Sequence, residues 1–213
     1  GVQTCALPIS KKDIIPLVTS GGLDTVGIRF PVHPVARAII KASGCPLAAP
    51  SANLSGSPSP TTAKHVMDDM RGRISAIVDG GECHVGVEST VISFEKDGKV
   101  KLLRPGFVSL EELADVVGSE NVSCAKGVTE KISDGERVLS PGMKYKHYSP
   151  KANVTIVEGS AEQFIGFMKE HQGDKVCAMM FGSDAAEYPY PHVTYGDTSE
   201  EQARELFGVL RSL

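Results

Sequence analysis

The period of the apolar positions changes several times along the chain, and each change marks an element. Residues 25–30 alternate around Val26 and Ile28, the period of a half-buried strand. Val35, Ile39 and Ile40 recur at helical spacing behind His33-Pro34, and Gly44 offers the left-handed stop, so a helix is predicted between them. Pro46 to Pro50 is a short apolar run that empties into the polar loop Ser51-Ala52-Asn53-Leu54-Ser55-Gly56-Ser57-Pro58. Ser59 followed by Pro60 reads as an N-cap with proline at the first helical position, opening a helix that runs to about Met70. Residues 74–79, 85–94 and 100–104 are strand-like, and Asp97-Gly98 between the last two predicts an antiparallel pair. Ser109 and Glu112 form a capping box for a helix through Val117, closed by Gly118.

From 119 to 151 the periodicity is lost, over a stretch too long for an ordinary connection. It contains Ser140-Pro141-Gly142-Met143-Lys144-Tyr145-Lys146-His147-Tyr148-Ser149-Pro150, whose apolar and aromatic groups a passive tether does not carry. This linker is expected to cover a concave surface of the first body as a lid. Strand and helix then alternate: a strand over 154–157, a helix over 161–171 between Ser160 and Gly173, strands over 176–181 and 193–195, and a helix from Ser199. That rhythm predicts the start of a Rossmann-like parallel α/β layer over 152–213. The expected fold class is α/β, a twisted mixed sheet with helices over 11–118 followed by that partial second domain.

Composition narrows the function classes. With 41% hydrophobic and 23% charged residues the chain is a globular one, and no apolar run approaches the length of a membrane span. A net charge of −4 is not the footprint of a protein that grips nucleic acid by neutralising phosphates. The five cysteines are dispersed, which points to reduced thiols and a cytoplasmic location, and neither they nor the six histidines have zinc-ligand spacing, so no metal held by protein alone is expected. Residues 2–9 back-translate as GTG CAG ACG TGT GCT CTT CCG ATC, the run of a common sequencing adapter. Residues 1–10 are therefore expected to be an artefact, and the chain a fragment truncated at both ends.

Three features carry candidate chemistry. The 51–59 loop lies between a buried run and a helix start, where backbone N–H groups and serine hydroxyls suit a phosphate, although a turn with an ordinary cap has the same pattern. Arg29 and Arg104 interrupt apolar strands where each enters a loop, positions that fit carboxylate or phosphate recognition and equally a surface salt bridge. Gly86-Val87-Glu88-Ser89-Thr90-Val91 puts hydroxyls into an apolar strand, and their simplest placement is its solvent face. With no G-x-S-x-G elbow, Walker sequence or Cys–His spacing, the residue types favour positioning of an anionic substrate over a covalent nucleophile.

Four ordered runs carry a resemblance: Gly22 to Pro31, Ala48 to Gly56, Gly86 to Val91, and Leu103-Arg104-Pro105-Gly106. Together with the linker at 140–150, they resemble the two-domain threonylcarbamoyl-AMP synthase family, a YrdC-like domain followed by an α/β module. The resemblance implies synthesis of L-threonylcarbamoyl-adenylate from ATP, L-threonine and bicarbonate with release of pyrophosphate, for later transfer to an adenosine of tRNA by downstream tRNA-modification proteins. It implies a threonine side made of Arg29, the backbone at Ala49, and Ser89. It implies a nucleotide side made of Thr25, Ser51, Asn53, Ser59 and Arg104, with Tyr148 reaching in from the linker. Mg²⁺ is expected with the ATP, and no membrane partner. The family also has a basic K-x-R motif in its N-terminal half that this sequence lacks, so the 213-residue chain by itself is expected to be inactive. Two alternatives are a carbamoyl-transfer protein of hydrogenase maturation, which would bring zinc-finger-like cysteines, and a weakly RNA-binding module with a concave basic face.

Overall fold

The computed structural model describes residues 15–20, 25–95, 97–125, 128 and 150–213, and the backbone of Cys5–Ala6. The strands of the first sheet are β1 (Cys5–Ala6), β2 (Ile28–Arg29), β3 (Val91–Phe94), β4 (Val100–Arg104) and β5 (Val122–Cys124). They lie in the order β2-β1-β3-β4-β5. The sheet is mixed, as expected: β1 is antiparallel to β2 and parallel to β3, β3 and β4 are antiparallel, and β4 and β5 are parallel. The hairpin forms because Asp97-Gly98 turns the chain, with Glu95 N–H donating to the Lys99 carbonyl at 2.8 Å.

Alternation along β4 decides what each face buries. Val100 and Leu102 join Ile92 on one face, where Leu110, Leu113 and Val117 of helix α3 (Leu110–Val117) cover them. Leu103 points the other way and packs with Val91 and Ala125. α3 begins where its capping box dictates: Ser109 Oγ accepts from Glu112 N–H at 3.1 Å, and the Glu112 carboxylate accepts from Ser109 N–H at 2.8 Å. Helices α1 (Pro34–Ser43) and α2 (Ala63–Met70) precede β3 in the chain. Gly44 closes α1 in the left-handed conformation at φ 67°, as its position predicts.

The second body holds α4 (Ala161–Glu170), β6 (Ala178–Met180), β7 (His192–Thr194) and α5 (Ser199–Ser212). β6 and β7 pair in parallel, the arrangement expected of the α/β layer. Met168 of α4 packs with Ala178 and Tyr188 at its core. α5 also reaches the first body, where the carbonyl of Ala203 accepts the N–H of Gly86 at 2.8 Å.

Several expected elements differ. α2 is capped by Thr62, whose Oγ1 accepts from His65 N–H at 3.2 Å, and Ser59 remains in the connection. Residues 74–79 and 154–157 lie outside both sheets, with Val78 and Ile156 exposed, and β3 begins only at Val91. The stretch from 119, expected to be irregular, carries a helical turn at Ser119–Asn121 and then β5. A strand exists only where another supplies its ladder, and a partner distant in sequence leaves no local trace. The linker at 140–149, with Tyr148, lies outside the described residues.

Candidate active site

The sheet brings its sequence motifs to one end. β2 ends at Arg29 and β4 at Arg104, while Ser89 and Thr90 lead into β3, which runs opposite to β4. In register, Arg29 faces Cys5, Cys5 faces Val91, and Val91 faces Arg104. The two arginines therefore share one transverse row, three strand spacings apart, or roughly 14 Å at about 4.8 Å per strand.

Arg104 is held in a compact cluster. Its Nε and Nη2 both donate to the carbonyl of Ser89, at 3.1 and 3.0 Å, and Nη2 donates to Glu88 Oε2 at 3.3 Å. The Arg104 and Glu88 side chains are only 13% and 18% exposed, so this ion pair is largely removed from water. Glu88 Oε1 accepts from the hydroxyl of Ser59. Thr90 does not face solvent: it is buried, and its hydroxyl donates to the Val108 carbonyl at 2.7 Å, tying the start of β3 to the chain beyond β4. Gly106 is required here by space, because a Cβ at this position would collide with Thr90 N and the Glu88 carbonyl.

The 51–59 loop adjoins this cluster through Ser59. Asn53 Nδ2 donates to the carbonyls of Leu54 at 2.9 Å and Ser57 at 3.0 Å, which folds the loop around the amide. Asn53 Oδ1 is buried and has no hydrogen-bond partner among the described residues. Ala49 and Ser51 are exposed on the segment leading into the loop, and Thr25 makes an isolated β-bridge ahead of β2. Arg29 lies on the open side of the row, beside a cavity of about 540 Å³ whose lining includes Phe30, Val32, Arg37 and Lys41. Arg37 rests over the Phe30 ring at 5.7 Å from its centroid.

Ser59, Ser89 and Arg104 are thus in one cluster, Asn53 is in the adjoining loop, and Arg29 is on the same sheet end at a distance. Glu88 is the residue that sequence reasoning left without a role, although it joins three motifs. Its signal was a lone carboxylate between small residues in a run whose predicted hairpin partner ends in arginine. Among the described residues no trio of His, Cys, Asp or Glu is placed to hold a metal. The arrangement suits the positioning of a large anion, with fixed guanidinium, hydroxyl and amide groups and a carboxylate that keeps the cation in place.

Residues 1–106 match the family model described as "Telomere recombination" (Sua5, YciO, YrdC), and residues 108–213 match that of the threonylcarbamoyl-AMP synthase C-terminal domain. The threonylcarbamoyl-AMP synthase of Pyrococcus abyssi is 46% identical over the whole chain, which covers 62% of that protein. The Bacillus subtilis enzyme of the same name is also 46% identical, with 61% of its length covered. The crystal structure of P. abyssi Sua5 complexed with L-threonine superposes with a TM-score of 0.83 at 42% identity, covering 98% of this chain and 61% of that one. The chain thus spans about three-fifths of the length of these relatives.

Proposed function

Because the chain belongs to the threonylcarbamoyl-AMP synthase family, with a Sua5/YrdC-type first body and the family's C-terminal domain as its second, we propose that its protein joins ATP, L-threonine and bicarbonate into L-threonylcarbamoyl-adenylate. Pyrophosphate leaves in that reaction, and the activated group passes to an adenosine of tRNA through downstream modification proteins. The observation that carries the reading is the Arg104–Glu88–Ser59 cluster at the sheet end where β2 also delivers Arg29.

In this mechanism a carbamate oxygen of N-carboxy-threonine attacks the α-phosphorus. The bond from that phosphorus to the oxygen bridging the β-phosphate breaks, and pyrophosphate departs with the electron pair. The residues supply position and charge, without a covalent nucleophile. Arg104, fixed by Glu88 and Ser89, meets the phosphates, and Ser59, Ser51, Asn53 and Thr25 are assigned to the nucleotide side with it. Arg29 takes the carboxylate of threonine, with Ser89 and the backbone at Ala49 completing that side. Mg²⁺ fits as an ion carried on the triphosphate, because it keeps mostly water and phosphate oxygens. The unpartnered Asn53 Oδ1 is an oxygen of the kind that accepts from its water shell. When bound, the ion neutralises phosphate charge. The reading keeps the enzyme in the cytoplasm, where ATP and tRNA meet; no helix among the described residues is long and apolar enough to cross a membrane.

Calorimetric titration with L-threonine and with MgATP tests the division of the site. Arg29→Ala is expected to weaken threonine binding and leave MgATP binding, and Arg104→Ala the reverse, each by about 1.5–3 kcal/mol for a lost charge-assisted hydrogen bond. Equal losses for both ligands in both variants, or binding of neither by the parent chain, would refute it.

A further inference from the structure

Arg211 belongs to the last turn of α5, in the second body, yet its guanidinium is turned into the first. Nη1 donates to the Pro58 carbonyl at 2.6 Å, and Nη2 donates to Asp69 Oδ1 at 2.8 Å and to the His65 carbonyl at 3.5 Å. The side chains of Arg211 and Asp69 are only 11% and 12% exposed. The other oxygen of Asp69 accepts the Leu54 N–H at 3.2 Å. One guanidinium therefore reaches the 51–59 loop twice, at Pro58 directly and at Leu54 through Asp69. Between these anchors the loop is closed on itself by Asn53 Nδ2 to the Ser57 carbonyl and by Ser57 N–H to the Leu54 carbonyl at 3.1 Å. The planar guanidinium sends two separate nitrogens to the carbonyl and the carboxylate, a fixed fork that the single nitrogen of a lysine does not reproduce.

We propose that Arg211 is a positioning residue: from the second body it holds the 51–59 loop in the shape that presents Ser51, Asn53 and Ser59 to the nucleotide. The proposal rests on the reading of that loop as the nucleotide side of the site. Coupling of this kind is reciprocal, so nucleotide binding and docking of α5 favour each other.

Amide hydrogen exchange and calorimetry on the 213-residue chain test it together. In Arg211→Ala the Leu54 and Ser57 amides are expected to exchange roughly 10-fold faster, with MgATP affinity falling by a similar factor. Threonine affinity and the protection of the β3–β4 ladder hold, and Arg211→Lys recovers only part of the loss. Unchanged exchange at Leu54 and Ser57 overturns the clasp itself. Faster exchange with unchanged MgATP affinity overturns the positioning role by removing the nucleotide from the loop, so the two failures read differently. Where Arg211→Ala loosens the ladder as well, Asp69→Asn decides, because it leaves Arg211 its Pro58 contact. Selective loosening at Leu54 supports the proposal, and equal loosening of loop and ladder in both variants overturns it.

Discussion

Arg104 and Arg29 end strands of one sheet on one transverse row, but they occupy different surroundings. Arg104 is enclosed by Glu88 and the Ser89 carbonyl and directly follows the fully buried Leu103 in β4. Arg29 ends an exposed two-residue strand, next to Phe30 at 73% exposure, and lines a cavity with Arg37 and Lys41 of α1. The end with a packed core beneath it has its side chains fixed before any ligand arrives, while the other presents cations and an aromatic ring to an open cavity. Preorganisation here follows burial: a guanidinium is held in one geometry where neighbours have already excluded water and partnered its donors.

The most severe way to break the comparison is to remove the core under one end. Leu103 is 1% exposed, and Leu103→Ala should cost about 2–5 kcal/mol in a urea titration because its cavity cannot collapse without moving Arg104. Ile39 on α1 is 42% exposed, and Ile39→Ala should cost under about 1.5 kcal/mol. Equal losses would mean that the two regions are supported alike. A smaller contrast comes from the arginines themselves. Arg104→Ala leaves the half-enclosed Glu88 carboxylate without its cation and should lower stability by about 1.5–3 kcal/mol, whereas Arg29→Ala should stay within about 0.5 kcal/mol. A large loss at Arg29 would show that its end is built as firmly as the other.

What was legible in the sequence follows the same physics. α1, α3 and α4 were readable because their stop and start signals are local: Gly44 closes the first, and Ser109–Glu112 and Ser160–Gln163 box the other two. The Ser59-Pro60 signal misled because two hydroxyl residues compete upstream of α2. Thr62 takes the cap, and Ser59 spends its hydroxyl on Glu88, 29 residues away. β5 has three residues, too few to show a period, and is a strand only because β4 lies beside it. Arg29, Ser89 and Arg104 could be singled out by type and position, but the hub that joins Arg104 to Ser59 is Glu88. Its role arises from a hairpin register and a loop contact that no window of sequence contains.

The smallest predicted effect reports on the seam between the two bodies. His65 lies on α2 under Arg211, and its Nδ1 is within 3.2 Å of the Thr61 N–H, so the ring accepts there in its neutral form. Burial, then the charge of Arg211, then that of Lys64 hold its pKa below the ordinary 6.5, against the opposing pull of Asp68 and Asp69. A folded-state pKa below the unfolded one means that the unfolded chain takes up the proton first as pH falls. The contribution of His65 to stability is therefore complete above pH 6.5 and is lost as pH drops from there toward the folded value. The thermal midpoint of the parent chain should thus fall more between pH 7.5 and pH 5.5 than that of His65→Asn. Arg211→Ala should shrink this difference, because it removes the second largest cause of the shift. If the parent chain and His65→Asn lost stability in parallel over that range, neutral His65 would have no part in the seam, and the contact between α5 and α2 would rest on the Arg211–Asp69 pair and its backbone acceptors.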